Sequence, residues 1–122
     1  MQKVKALLIK ANPTEVSKVE VSNLDDYRKA VNGHIEHIML NEGLSMYINE
    51  EGKLLDLPVN PTATLATMIN SRIEDVICGD VLITCHLSPQ GVRDGADYDV
   101  PAWAVDAFEY LAKFADKAVL QR

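Results

Sequence analysis

The sequence predicts an α+β fold with a mixed or mostly antiparallel sheet, two short helices and a long C-terminal helix packed on it. Two observations predict this class. Short segments rich in apolar and β-branched residues are joined by hairpin-length turns rather than regular crossovers, and apolar residues recur every three to four positions over 101–120. Because the 122 residues contain no repeat, low-complexity tract or linker, we expect a single domain over 1–122.

A hairpin and a short helix are predicted first along the chain. Residues 4–10 are apolar enough for a central strand, and residues 15–21 alternate imperfectly, as an edge or bulged strand does. We expect these two strands to pair. Ser22 or Asn23 can then accept the free amide hydrogens of a helix that ends at a left-handed residue in 32–33.

A second hairpin is predicted over 34–49. Its strands flank Asn41-Glu42-Gly43, in which glycine supplies the positive φ that a three-residue connection needs. In the second strand, alternate residues share a face: Leu44, Met46 and Ile48 on one side, and Ser45, Tyr47 and Asn49 on the other. We therefore expect one face of this strand in the core and the other partly exposed to water.

The next segment contains a tight turn, a helix and a strand. Gly52 permits the turn at 50–53, and an extended stretch then leads to Asn60 and Pro61, a cap and a first-turn residue for a helix over 62–69. Residues 76–85, rich in valine, isoleucine and leucine, are predicted as a buried strand that is entered through Gly79-Asp80.

The final helix is predicted over 101–120, with Asp99 as its cap. Its aromatic residues occupy more than one side of the helix, whereas the core uses only one stripe. They are Trp103, Phe108, Tyr110 and Phe114. An aromatic residue outside that stripe either covers a second element or joins two copies, so a homodimer through the C-terminal helix is one prediction.

Composition argues against several partners. The net charge is −6, with 12 basic and 18 acidic residues and no cluster of Lys and Arg, which argues against direct nucleic-acid binding. No apolar run approaches the roughly 18 residues of a spanning helix, so we expect no membrane partner. Two cysteines without a signal segment predict reduced thiols and a cytoplasmic location.

No grouping of side chains predicts a catalytic site, a metal site or a cofactor. His34 and His37 lie three apart on a strand, so they point to opposite faces and cannot share an ion. His86 follows Cys85, and a Cys–His nucleophile would need an irregular backbone or a distant partner.

Three acidic residues, Asp94, Asp97 and Asp99, offer carboxylates to a hard cation. Their spacing does not match the twelve-residue calcium loop. A solvated connection is the plainer interpretation, and whether the three bind a cation stays open.

One resemblance adds to this interpretation. In order and spacing, Val31-Asn32-Gly33-His34-Ile35-Glu36, Tyr47-Ile48-Asn49-Glu50-Glu51-Gly52-Lys53-Leu54, Leu57-Pro58-Val59-Asn60 and Gly79-Asp80-Val81-Leu82-Ile83 resemble the domain of unknown function 3846 family. The resemblance covers roughly 4–85 and leaves 86–122 outside. It implies a small accessory protein of a phage, plasmid or conjugative element, with no assigned reaction or cofactor. If the chain is phage-encoded, its expected location is the host cytoplasm.

The matched loop is the predicted binding site. Irregular backbone held by a rigid sheet can present side chains to a partner, and the candidates here are Asn49, Pro58, Asn60 and Arg72. The same residues also suit structural roles, because proline fixes φ and asparagine ties a loop to a following helix.

Three functions follow as hypotheses. The first is a non-enzymatic phage or mobile-element accessory protein that binds a host protein, including a component of host defence. The alternative is a small-molecule or nucleotide-binding (sequestering) protein with its pocket between 57–61 and the last helix. The third is an enzyme that uses Asp or His acid–base chemistry, which would require converging titratable side chains and which isolated histidines would exclude.

Overall fold

The computed structural model describes residues 3–71 and 75–120 of the chain. Its strands form one sheet in the order β2-β1-β5-β4-β3, and every neighbouring pair is antiparallel. The elements are β1 (Val4–Ala11), β2 (Thr14–Val21), α1 (Leu24–Val31), β3 (Ile35–Met39), β4 (Leu44–Asn49), α2 (Pro61–Asn70), β5 (Val81–Cys85) and α3 (Ala102–Leu120). The predicted α+β class is confirmed, with the sheet antiparallel rather than mixed.

Both predicted hairpins are present. β1 pairs with β2 along its whole length, from Val4 opposite Val21 to Ala11 opposite Thr14. β3 pairs with β4 across a short 3₁₀ turn, Asn41–Gly43, in which Gly43 has a φ of +80°. The turn residues therefore predicted this hairpin and the positive φ of its glycine correctly.

The predicted strand over 76–85 is too long. β5 begins only at Val81, because Gly79 has a φ of +91° and interrupts the extended backbone. Before that point, the chain makes one isolated bridge, between Val59 and Cys78. β5 then lies between β1 and β4, where Leu82 and Ile83 are fully buried.

Both short helices have the predicted caps, and the long one does not. The side chains of Asn23 and Asn60 accept the amide hydrogens of Asp26 and Ala63 at the starts of α1 and α2. Asp99 does not cap α3: its Oδ1 accepts the amide hydrogen of Lys5, 2.7 Å away. Asp99 thus ties the segment before α3 to β1.

Helices cover both faces of the sheet. The main core lies under α2 and α3, where Leu7, Ile9, Met46, Ile83 and Phe108 pack together with neighbouring residues. A smaller cluster around Leu82 lies under α1 on the second face. The polar face of β4 is less exposed to solvent than predicted, because Ser45 and Asn49 are buried.

None of the helices in the described parts of the chain is long and apolar enough to cross a membrane.

Candidate functional site

Two histidines meet at one serine on the second face of the sheet. His37 Nε2 lies 2.8 Å from Ser45 Oγ, and Ser45 Oγ lies 3.0 Å from His86 Nδ1. The register explains the contact: His37 is opposite Tyr47 and Ser45 is opposite Thr84, so both histidines are diagonal to the serine.

Two tyrosines converge on one carboxylate beside these histidines. The hydroxyl groups of Tyr27, from α1, and Tyr47, from β4, both donate to Asp97 Oδ2 at 2.7 Å. Their rings meet edge to face at 4.9 Å, and the Tyr47 ring stacks on His37 at 4.9 Å. The cluster therefore joins α1, β3, β4 and the loop after β5. We call it the histidine–tyrosine cluster: His37, Ser45, His86, Tyr27, Tyr47 and Asp97.

A cleft of about 260 Å³ opens beside the cluster. Its lining comes from β3, β4 and the loop after β5: His37, Met39, Tyr47, His86, Arg93, Gly95, Ala96 and Asp97. Arg93 brings a permanent cation to the cleft and Asp97 a carboxylate, so a polar ligand would find both a donor and an acceptor there.

Burial sets the charge states in the cluster. Desolvation, the Arg93 charge and His37 lower the pKa of His86, so its imidazole is neutral at neutral pH. Desolvation and the hydrogen bonds to Asp97 raise the pKa of Tyr27 and of Tyr47, so both phenols remain donors. Ser45 is fully buried, and its hydroxyl does not line the cleft.

Sequence reasoning did not find this cluster. His37 and His86 are not isolated, since they share Ser45, while His34 lies apart with an exposed side chain. The eight-residue separation of His37 and Ser45 was readable from the predicted hairpin, but the approach of His86 depends on long-range pairing of β5 with β4.

The three acidic residues of 94–99 have separate partners. Asp94 accepts hydrogen bonds from Tyr98 and from the Ala96 amide, Asp97 accepts from the two tyrosines, and Asp99 binds the Lys5 amide. Over 3–71 and 75–120, no three His, Cys, Asp or Glu side chains form a group that could hold a metal ion.

A second feature is an exposed apolar loop over 50–60, which we call the leucine loop. Leu54 is 84% exposed and Leu55 is 54% exposed. The loop backbone is nevertheless tied: the Leu55 amide donates to the Glu51 carbonyl at 2.9 Å, and the Leu57 amide to the Gly52 carbonyl at 3.0 Å. The leucines are therefore presented by an ordered turn.

Two of the predicted site residues, Asn49 and Asn60, anchor the two ends of this loop through buried hydrogen bonds. Asn49 donates to the Val31 and Asn32 carbonyls and accepts from the Glu51 amide, at 2.8–3.1 Å. Asn60 is fully buried; its amide group donates to two carbonyls, of Ile9 and Gly79, and its oxygen caps α2.

The other two predicted site residues are Pro58 and Arg72. Pro58 is exposed, and its carbonyl accepts the Gly79 amide hydrogen at 2.7 Å. Arg72 lies outside the described residues. The structure thus gives Asn49 and Asn60 structural roles and leaves Pro58, beside the leucines, on the surface.

An antiparallel α+β domain with an anchored apolar loop and a polar cleft is the class that the fold and the site define. The model of a family described as Domain of unknown function (DUF3846) matches residues 4–94, and the chain belongs to this family. The match confirms the predicted resemblance and extends it past residue 85, so His86 and Arg93 lie inside it while α3 lies beyond it. No curated protein and no solved structure matches the chain significantly.

Proposed function

We propose that the protein is a non-enzymatic accessory protein of a phage or another mobile element, and that it binds a host protein through the leucine loop. The exposure of Leu54, 84% on a hydrogen-bonded turn, is the observation that supports binding. Exposed apolar side chains on an ordered scaffold are typical of protein interaction sites. The genetic origin rests on what the family resemblance implies.

The charges around the leucines define the partner surface. Glu50, Glu51 and Asp56 lie in the loop, and its one cation, Lys53, is already paired with Asp75. The loop is therefore apolar at its tip and acidic at its edges. A host protein that binds it would present an apolar pocket with a basic rim. We include a component of host defence among the partners to be tested.

A binding experiment with a matched control tests the proposal. The tagged protein is used to capture a partner from host lysate at several salt concentrations, and the affinity of the purified partner is then measured. Leu54→Ser with Leu55→Ser should weaken binding at least tenfold, whereas Leu24→Ser, at a leucine 48% exposed on α1, should not. Equal binding by both variants, or no partner at any salt concentration, would contradict the proposal.

A second function is favoured by the cleft. Arg93 and Asp97 flank a space of about 260 Å³, which suits part of a small polar molecule or nucleotide. This sequestering function uses the second face of the sheet rather than the predicted pocket between 57–61 and the last helix. A thermal-shift screen of nucleotides and metabolites should find a ligand that raises the melting temperature of the wild type but not of Arg93→Met. A flat response across the library would exclude it.

A further inference from the structure

The outer side of α3 has an apolar surface that none of the described residues covers. Trp103, Ala107, Tyr110 and Phe114 are all exposed, the three aromatic residues by 48%, 63% and 48%. At 100° per residue, the four lie within about 60° of one another around the helix axis. We call them the aromatic stripe. Tyr110 and Phe114 contact each other within it, with ring centroids 5.0 Å apart.

The opposite side of the same helix is already used. Ala104, Phe108 and Ala115 are buried, and they lie about 100–140° away from Trp103 around the axis. Packing against α2 and the sheet therefore accounts for one side of α3, and the described residues leave the aromatic stripe exposed.

We propose that the aromatic stripe joins two copies of this chain in an antiparallel homodimer. The spacing of the stripe is four, three and four residues, which is the seam spacing of helices that pack side by side. Side-chain size selects the direction. An antiparallel pair with its twofold axis between 108 and 109 places Ala107 opposite Tyr110 of the partner subunit and Trp103 opposite Phe114 of the partner subunit.

The parallel arrangement fits the same residues poorly. It would place Ala107 against Ala107 of the partner subunit and Tyr110 against Tyr110 of the partner subunit. One layer would then contain a gap and the next would be crowded, and both faults destabilise packed interfaces.

Charge complementarity selects the same direction independently. Asp106 and Lys113 are exposed on one edge of the stripe, about 60–80° from Trp103 around the axis. Neither forms an ion pair with a described residue of its own chain. The antiparallel register that matches the side-chain sizes also brings Asp106 next to Lys113 of the partner subunit, twice by symmetry. Charges at such flanking positions set the orientation of paired helices.

The length of the aromatic stripe determines the expected affinity between the two copies. From 103 to 114 the helix rises about 16 Å, so the contact is short compared with a standard protein interface. We expect a dimer that dissociates on dilution. Because the family match ends at residue 94, this contact is a property of the C-terminal helix and is separate from the leucine loop.

Sedimentation velocity over a wide concentration range tests the proposal with the full chain. The wild type should shift from monomer to dimer as concentration rises. Asp106→Lys alone, or Lys113→Asp alone, replaces both cross-pairs with like charges and should weaken dimerisation about tenfold or more. An equimolar mixture of the two variants should form a heterodimer, because every cross-pair is then opposite in charge.

Each other outcome overturns the proposal. A wild type that stays monomeric removes the dimer, and single variants that associate like the wild type remove the antiparallel register. Failure of the mixture to recover association does the same. Folding is checked by circular dichroism, and the double variant Asp106→Lys/Lys113→Asp, which restores both pairs, should dimerise like the wild type.

Discussion

Single buried side-chain amides hold the irregular backbone in place. Asn60 is the main case: its side chain contacts the carbonyls of Ile9 in β1 and Gly79 before β5, and it caps α2. The sequence predicted only the cap, because the other two contacts join segments 19 and 51 residues apart. Asn60, which was predicted to contact a partner, thus connects β1, α2 and the segment before β5.

Replacing the Asn60 side chain should lower the stability of the fold substantially. Asn60→Ala leaves two buried carbonyls and one amide hydrogen without their partner, so we expect the free energy of unfolding to fall by about 3 kcal/mol or more. Asn23→Ala removes a single exposed cap and should cost about 1 kcal/mol. Urea denaturation of both variants measures the difference, and equal losses would show that the two contacts beyond the cap contribute nothing.

At the scale of elements, the sequence predicts a turn correctly when the reason for the turn is local. The positive φ of Gly43 follows from the length of the connection between β3 and β4, and the sequence predicts it. Gly52 was predicted as a turn residue, but its reason is different: a β-carbon there would lie 2.7 Å from the Cys78 carbonyl oxygen. That close approach joins the leucine loop to the segment before β5, and no local pattern reveals it.

This approach predicts a specific effect on the leucine loop. Gly52→Ala must push the loop away from Cys78, so we expect faster hydrogen exchange at the Leu55 and Leu57 amides and a loss of stability of about 1–3 kcal/mol. Gly91→Ala is the control, because its β-carbon meets nothing within 4 Å and its cost comes from a φ of +77° alone. Exchange in the loop should be unchanged in the control. Protection of the loop that survives Gly52→Ala would contradict the close approach.

At the scale of the whole molecule, strand pairs that are neighbours in sequence were predictable, and strand pairs that are distant in sequence were not. The strands of each hairpin are neighbours in sequence, so alternation and turn residues suffice to predict β1–β2 and β3–β4. The insertion of β5 between β1 and β4 depends on contacts between distant segments, and the histidine–tyrosine cluster depends on that insertion. A shift of one residue in the β4–β5 register would turn the side chains of β5 to the other face and separate Ser45 from His86.

The assembled cluster makes stability depend on pH. His86 is 8% exposed, with Arg93 and His37 disfavouring its charged form and Asp97 favouring it, and the net result is a lowered pKa in the folded state. In the unfolded chain, its imidazole titrates near the ordinary value of 6.5. Below that pH the unfolded state binds more protons than the folded state, so the free energy of unfolding falls as the pH drops and recovers as it rises. Denaturant titrations between about pH 5 and 8 should show this slope in the wild type and in His34→Gln, whose side chain is exposed, but a smaller slope in His86→Gln. If His86→Gln keeps the full slope, the buried imidazole is not its source.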